Sequence, residues 1–482
     1  MMLKQYITSF LLFICFSFVF GQEVTQVIAR KESFGIDQKN KIIIWNFKVT
    51  DSTKRAHKKY TQVLFSKLCQ KTILTDSLSY KNSYLIQNNN EVYKLYISRL
   101  PIISISIDDT IKDIPKKAAR FRYSSYKKII DTLAGIELRG NLSLTFPKKS
   151  YDLEFWSDST KKNPLRIKLP KLGTNDDWIL DGLYNEPLRL RSFLSQKLWL
   201  SIHKSHYVNK EPKAKSGADL RFVELFLNSE YKGFYALSQQ VDRDLLKLKR
   251  FENEVVKGEL FKATSYEGAP AYKKLPQFNN LFPHWGGYQI KYPFIEYKAY
   301  WDNLYKFTDF VMNSNASDFN EKIAEYFNIP NAIDYFLLIN LLRATDNLGK
   351  NVFVARYDQN TPYFNVPWDL DGVLGTIQDG KRIPTTDDIL SNGLFDRLLN
   401  ENPANYKTRV KNRWLELRNN QFNKDSLFKT IDQTYNRLEK NKIYERENLV
   451  WESNISYKDH LEYLKNWVIK RLIYLDTYFN SL

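Results

Sequence analysis

Between residues 100 and 240 the apolar side chains alternate with polar ones, and beyond residue 300 they recur every three or four positions. This change of period limits the fold more than any other feature of the chain. Ile102-Ile-Ser-Ile-Ser-Ile107, Ile136-Glu-Leu138, Ser150-Tyr-Asp-Leu-Glu-Phe155 and the runs 222–227 and 233–237 read as strands. A helical pattern interrupts them at residues 187–202, and five more follow at 300–312, 319–326, 330–342, 421–438 and 457–479. Strands first and helices later indicate an α+β protein in two lobes: a β-rich N-lobe over residues 98–245 and a mainly helical C-lobe over 246–482. Residues 22–97 mix short β-rich runs (42–49, 92–97) with one helix-like piece around 60–68, and form a small accessory extension. The 482 residues are 43% hydrophobic, with 31 Tyr, 31 Phe and 10 Trp, which is ample for a large core.

The first 21 residues read as a secretory leader. Lys4 is their only charge, residues 7–20 are apolar apart from Thr8, Ser9 and Ser17, and Gly21 offers a small residue for cleavage. No later segment approaches the twenty apolar residues of a membrane span, so the mature chain is expected in the periplasm, the envelope or outside the cell. Cys15 would leave with the leader, making Cys69 the only thiol and excluding an internal disulfide. His203 and His206 stand three apart with no H-E-x-x-H and no Cys partner, a pattern that does not make a zinc site. The formal net charge is +18, with clusters at Lys54-Arg-Ala-His-Lys-Lys59, Lys116-Lys117 and Lys247-Leu-Lys-Arg250. Such a field favours acidic partners or nucleotide phosphates, and no nucleic-acid-binding signature accompanies it.

Chemistry is concentrated in Arg343-Ala-Thr-Asp-Asn-Leu-Gly-Lys-Asn351 and Trp368-Asp-Leu-Asp371. Asp346 and Asn351 have the D-x-x-x-x-N spacing of a protein-kinase catalytic loop, where the aspartate meets the acceptor hydroxyl and the asparagine holds magnesium. Residues 352–357 and 363–366 read as two strands joined by the turn Asp358-Gln-Asn-Thr-Pro362. A hairpin there would return Asp369 to the neighbourhood of Asn351, giving one acid for a nucleophile and two oxygen ligands for a hard cation. The alternative is a polar turn followed by a solvated acidic pair.

Upstream, Gly135-Ile-Glu-Leu-Arg-Gly140-Asn-Leu-Ser-Leu-Thr-Phe-Pro-Lys148-Lys149-Ser-Tyr151 offers Gly140 for close backbone approach and Arg139, Lys148 and Lys149 as cations for a polyphosphate. Strand alternation sends the two lysines to opposite faces, and Lys149 is the one expected in the cleft. Lysines flanking a strand are also common as solvated edge residues.

The chain resembles the CotH kinases, named for a bacterial spore-coat protein. The resemblance is carried in order by Arg139-Gly-Asn141, Phe146-Pro-Lys-Lys-Ser-Tyr151, Asp177-Trp-Ile-Leu180, Leu190-Arg191, Leu225-Phe-Leu-Asn-Ser-Glu-Tyr-Lys-Gly-Phe-Tyr235 and Gly258-Glu-Leu-Phe-Lys262. It continues through Ile290-Lys-Tyr-Pro293, Asp346 with Asn351, Pro367-Trp-Asp-Leu-Asp371 and Leu394-Phe-Asp-Arg-Leu398. It implies an atypical protein-kinase-like fold and ATP-dependent phosphorylation of protein serines with Mg²⁺ or Mn²⁺. By the same resemblance Asp346 is the catalytic aspartate and Asp369 the metal-binding one. The chain departs from the family at Gln239, where a Glu usually precedes the Val/Ile-Asp pair, a position assigned to nucleotide placement.

Within that reading Asn351 and Asp369 hold the cation, Asp371 supports them, and Lys149 with Arg139 clamps the phosphates. The expected acceptor is an exported protein, acidic or rich in serine. Two other functions fit the same motifs. A pseudokinase-type transferase would pass on an adenylyl or glutamyl group, and a secreted binding protein would use Asp369 and Asp371 as a structural Ca²⁺ site.

Overall fold

The structure, a computed structural model, describes residues 25–49, 61–65, 71–74, 78–88, 90–160, 162–452 and 455–482. The expected leader, the basic cluster at 54–59 and Cys69 lie outside these residues. The piece expected as helix around 60–68 contains a strand, Thr61–Phe65, which pairs with Thr25–Ala29 on one side and Lys71–Leu74 on the other. Its β-branched and aromatic residues suit a ladder filled on both edges, and this outweighs the weak helical spacing.

Seven strands close into a barrel in the order Ile129–Arg139, Ser150–Trp156, Asp177–Asp181, Glu230–Gln239, Leu220–Leu227, Ile102–Ser106 and Lys117–Ser124. All neighbours are antiparallel except Leu220–Leu227 with Ile102–Ser106. Closure leaves no unpaired edge in this sheet. Ile136, Leu153 and Trp178 stand opposite one another across three strands and are fully buried inside. Because strand side chains alternate, Glu137, Arg139, Asp152 and Asp181 take the outer face. Ser150 donates its hydroxyl to Asp181 Oδ1 at 3.2 Å and is the register partner of Arg139, so one rim of that outer face carries Arg139, Ser150 and Asp181.

A second, antiparallel sheet lies within the region expected to be mainly helical. Its order is His284–Trp285, Tyr288–Tyr292, Glu259–Thr264, Lys350–Arg356, Tyr363–Pro367. Phe261, Ala263, Ile290, Val352 and Val354 turn one face to the helices. Leu260, Phe353, Phe364 and Val366 turn the other to Ile179 on the outside of the barrel. Two strands of this sheet, Glu259–Thr264 and Tyr288–Tyr292, were not among the elements legible in the periodicity. The candidate residues collect where the barrel meets this sheet.

The helices pack behind this sheet. Ile329–Leu342 is buried on nearly every side, as its uniformly apolar sequence requires. The Asn328 side chain accepts from the Asn331 N–H at its start, Pro330 occupies the first turn, and Arg343 ends it in the left-handed conformation at φ 51°. Arg191–Ile202, Tyr406–Asn419 and Tyr457–Asn480 pack against it. Ahead of the barrel, Phe34–Asp37, Ile42–Asn46, Glu91–Ser98 and Ser83–Asn88 form a four-stranded sheet with its own core. Polar contacts tie it down: Tyr96 donates to Glu445 at 2.9 Å, Ser98 to Glu224 at 2.7 Å, and the Tyr231 N–H to Asp37 at 2.9 Å.

Candidate functional site

The chain turns into the site at Arg343, and a short 3-10 turn, Thr345–Leu348, then presents Asp346. The strand Lys350–Arg356 follows, and its hairpin partner Tyr363–Pro367 returns with Val352 opposite Pro367. One step further along this ladder the Trp368 N–H donates to the Asn351 carbonyl at 2.9 Å. Asn347 clips the junction, its side-chain amide donating to the carbonyls of Asn351 (2.6 Å) and Trp368 (2.9 Å). Tyr335 holds Asn347 in turn by donating to its carbonyl at 2.6 Å. Asn351 and Asp369 both have left-handed backbones, at φ 50° and 54°. Asn and Asp tolerate that region better than most residues, and strain of this kind concentrates at functional sites.

The structure thus brings Asp346, Asn351 and Asp369 together. Asn351 Nδ2 donates to Asp346 Oδ2 over a long 3.4 Å. Burial pushes the Asp346 carboxyl up to about 6, with the Asp369 charge adding to the shift and Lys350 opposing it. Burial also raises Asp369, assisted by Asp181, while Arg139 and Lys262 pull it back. Asp371 is pushed well above the usual carboxylate range by burial and by Asp369. Its oxygens are already engaged: Asn185 Nδ2 donates to Oδ2 at 2.6 Å and the Gly372 N–H to Oδ1 at 2.7 Å. The Asp369 carboxylate carries no such hydrogen bond among the described residues, and the residue as a whole is only partly buried.

The cations facing it are Arg139 and Lys262. Arg139 lies over the Trp368 ring at 5.6 Å. Lys262, in the middle of Glu259–Thr264, shares the Leu260 face of the sheet that turns toward the barrel. Burial, with Arg139 beside it, draws its ammonium down to about 8, against the pull of Asp369.

Three expected ligands are placed otherwise. Lys149 donates to the Leu144 carbonyl at 2.6 Å within its own loop, and no ion pair joins it to Asp369. Lys148 and Lys149 both precede the strand Ser150–Trp156, so strand alternation does not place them, and Lys148 has partners of its own. It is 1% exposed and donates to both oxygens of Glu447 (2.9 and 2.8 Å) and to the Phe234 carbonyl (2.6 Å). To reach a ligand beside Asp369 it would have to abandon a buried carboxylate whose other cation, Arg189, lies 3.5 Å away. Gln239 is buried and accepts from Lys215 at 3.1 Å, away from the acidic residues.

Sequence reasoning missed Lys262, Asp181, Asn185 and Asn347 as parts of the site. Only Lys262 carried a signal, a lysine set between the apolar Phe261 and Ala263. The others are common polar residues whose roles depend on contacts far away in the chain.

The donor set fits a magnesium-type ion held jointly with phosphates. No group of three or more His, Cys, Asp or Glu forms a closed metal cage among the described residues. Mg²⁺ ordinarily takes one or two carboxylates and completes its shell with water and phosphate oxygens. Asp369, free of hydrogen bonds and beside the amide-bearing Asn351, is suited to that part.

No helix among the described residues is long and apolar enough to cross a membrane. No curated protein matches the chain. Residues 136–475 match the family of CotH kinase proteins, and since this span covers well over half of the sequence and holds every residue of the site just described, the chain belongs to that family.

Proposed function

We propose that this chain transfers the γ-phosphoryl group of ATP to a serine hydroxyl of an exported or envelope protein, in an atypical kinase arrangement whose two lobes are the barrel and the sheet-with-helices unit. The observation that carries the reading is the set of charged groups that surround Asp369. One unbonded carboxylate, Asp369, is flanked by the cations Arg139 and Lys262 and adjoins the Asp346–Asn351 pair. Phosphoryl transfer needs positioning and neutralised charge more than covalent help, and this set supplies both.

Asp346 orients the acceptor hydroxyl and takes its proton. With a pKa of about 6 it is ionised at neutral pH yet basic enough to serve. Asn351 and Asp369 would hold a divalent cation, which would neutralise phosphate charge when bound. Asn185 fixes Asp371, and Asp371 in turn steadies the segment that carries Asp369. Arg139 and Lys262 receive the polyphosphate from the barrel side and the sheet side. Lys262 takes the part first assigned to Lys149, because its ammonium lies in the field of Asp369 and that of Lys149 is held by Leu144.

The deciding experiment incubates the protein with γ-labelled or α-labelled ATP and Mg²⁺ or Mn²⁺. The reading requires incorporation of the γ-label. Incorporation of the α-label instead would assign the site to adenylyl transfer.

A further inference from the structure

Helix Ile329–Leu342 hands the chain to the Asp346 turn through one residue, and that residue is unusual for its place. Arg343 stands just past the helix end in the left-handed conformation, at φ 51° and ψ 52°. Its N–H donates to the Asn340 carbonyl at 3.2 Å. Glycine is the ordinary choice at such a position, because a β-carbon strains that backbone. Strain that persists near a functional site calls for a reason, and here the reason lies in the side chain.

The guanidinium grips Asp388 as a fork. Nε lies 3.0 Å from each carboxylate oxygen, and Nη2 donates to Oδ2 at 2.7 Å. Arg471, fully buried on helix Tyr457–Asn480, donates to the same carboxylate at 3.1 Å. It donates also to the carbonyls of Thr386 (2.9 Å), Asp388 (2.7 Å) and Asn340 (2.8 Å). Asp388 thus joins the residue at the helix end to the helical core. A bidentate pair of this kind fixes orientation as well as distance.

Asp388 belongs to a strap, residues 385–392, that frames the turn carrying Asp346. Trp467 donates to the Thr385 carbonyl at 3.0 Å. The buried Asn340 side chain exchanges two hydrogen bonds with the Leu390 backbone, at 2.8 and 3.0 Å. At the far end Asn392 donates to the Leu348 carbonyl at 3.2 Å. The turn Thr345–Leu348 is therefore held by one strap on both sides of Asp346, through Arg343 before it and Leu348 after it. Among the described residues no hydrogen bond joins the strap to Asn351 or Asp369. Its grip falls on the proposed base and not on the proposed cation ligands.

We propose that Asp388 is a positioning residue. By holding Arg343 it sets the angle at which the chain leaves the helix, and so the place where the Asp346 carboxylate meets the acceptor hydroxyl. The restraint on the turn stands independently of phosphoryl transfer; its catalytic consequence rests on the proposed function.

The test compares Asp388→Ala and Arg343→Gly with the parent in the full chain. Asp388 is 32% exposed, so its truncation opens no buried hole. Glycine suits the left-handed position, so Arg343→Gly removes the grip while relieving strain, and a merely structural arginine would be lost without penalty. Both variants should melt within about 4 °C of the parent and bind Mn²⁺–ATP within about threefold of it. Transfer of γ-label to dephosphorylated casein, an acidic and serine-rich acceptor, should slow about tenfold to a hundredfold in kcat, as misplacement by an ångström suffices. In Asp388→Ala, whose change lies outside the turn, hydrogen exchange of the amides of residues 344–350 should quicken at least about tenfold. Should that variant fold poorly, Arg343→Lys, which keeps the charge and loses the fork, is read by the same exchange. Parent-like exchange in the turn would overturn the restraint. Faster exchange with parent-like kcat would overturn the positioning role, as would a loss of Mn²⁺–ATP affinity equal to the loss of turnover. A parent chain that transfers γ-label neither to casein nor to itself would instead strike the proposed function, and exchange would still decide the restraint.

Discussion

Asn185 reaches across from the segment after the barrel strand Asp177–Asp181 and donates its amide to Asp371 Oδ2 at 2.6 Å, while donating also to the Gln378 carbonyl at 2.7 Å. With Gly372 on the other oxygen, Asp371 is a fixed strut, and Asp369 two residues earlier is the free carboxylate. The two aspartates should therefore separate in experiment. Asp369→Ala should weaken Mn²⁺–nucleotide binding by about a hundredfold or more and abolish turnover, since a charged ligand is lost. Asn185→Ala and Asp371→Ala should each cost about tenfold, through misplacement of a neighbouring ligand. Titration of Mn²⁺–ATP into the three variants reads the contrast. Equal losses would mean that Asp371 is itself a direct ligand.

Among the described residues the Asp346 carboxylate accepts a single long hydrogen bond, from Asn351. A group that acts on the acceptor and not on the bound phosphates can be removed without loss of nucleotide. Asp346→Asn should lower turnover by about a hundredfold to ten-thousandfold while Mn²⁺–ATP affinity stays within about threefold of the parent. In the parent protein turnover should fall as pH drops through about 6, where the carboxylate becomes protonated. Loss of nucleotide binding in Asp346→Asn would make this residue a ligand or a structural support.

Lys262 and Lys149 provide a second contrast. Lys262 faces the Asp369 charge from a central strand, whereas Lys149 caps the carbonyl of Leu144. Lys262→Met should weaken ATP binding by about tenfold or more and leave folding intact, because the change relieves a desolvated cation. Lys149→Met should change ATP affinity by less than about threefold. The reverse order would restore Lys149 to the phosphates.

The parts of this fold legible in the sequence are those in which local pattern and final environment agree. The hairpin around Asp358–Pro362 has alternating strands and a polar, proline-bearing turn, and it delivers Asp369 to Asn351 as those signals imply. Helix Ile329–Leu342 carries its own cap and stop. Glu259–Thr264 was not legible, because Lys262 breaks its apolar run and its pairing with Lys350–Arg356 closes a loop of some ninety residues. The fate of the two lysines was legible only in part. Both precede the strand Ser150–Trp156, where alternation would have applied, and only tertiary structure shows Glu447, about three hundred positions away, waiting for Lys148.

The Lys148–Glu447 pair should matter for stability. Both side chains are essentially unexposed, and the Gly233 backbone at φ 91° passes so close that a β-carbon there would lie 2.1 Å from Glu447 Oε1. Arg189 approaches the same carboxylate at 3.5 Å, so Lys148→Met leaves Glu447 with that more distant cation alone and Glu447→Leu strands both cations, each at a cost of up to about 3–5 kcal/mol. The double variant should recover a substantial part of that loss. Urea unfolding of the four proteins of this cycle measures the coupling, and simple additivity would show that the pair is not what anchors the strand Ser150–Trp156 to helix Ile443–Trp451.

On the outer face of the barrel four carboxylates share one lysine. Lys116 lies 2.9 Å from Asp152, 3.7 Å from Glu154 and 4.0 Å from Asp177, with Glu137 directly opposite Asp152 in the ladder. Burial pushes both Asp177 and Glu137 up to about 7, with the neighbouring acids adding to the shift and Lys116 opposing it. An unfolded chain would ionise these groups near pH 4, so between about 4 and 7 the folded protein holds more protons than the unfolded one. Stability from this cluster must therefore fall as pH rises through that window. Asp177→Asn should raise the melting temperature at pH 8 and leave it nearly unchanged at pH 4, where the parent carboxyl is already protonated. Lys116→Met should do the opposite, lowering the melting temperature most at pH 8, where the acids it compensates are ionised. A melting temperature that responds equally to Asp177→Asn at both pH values would show that the substitution acts through packing and not through charge.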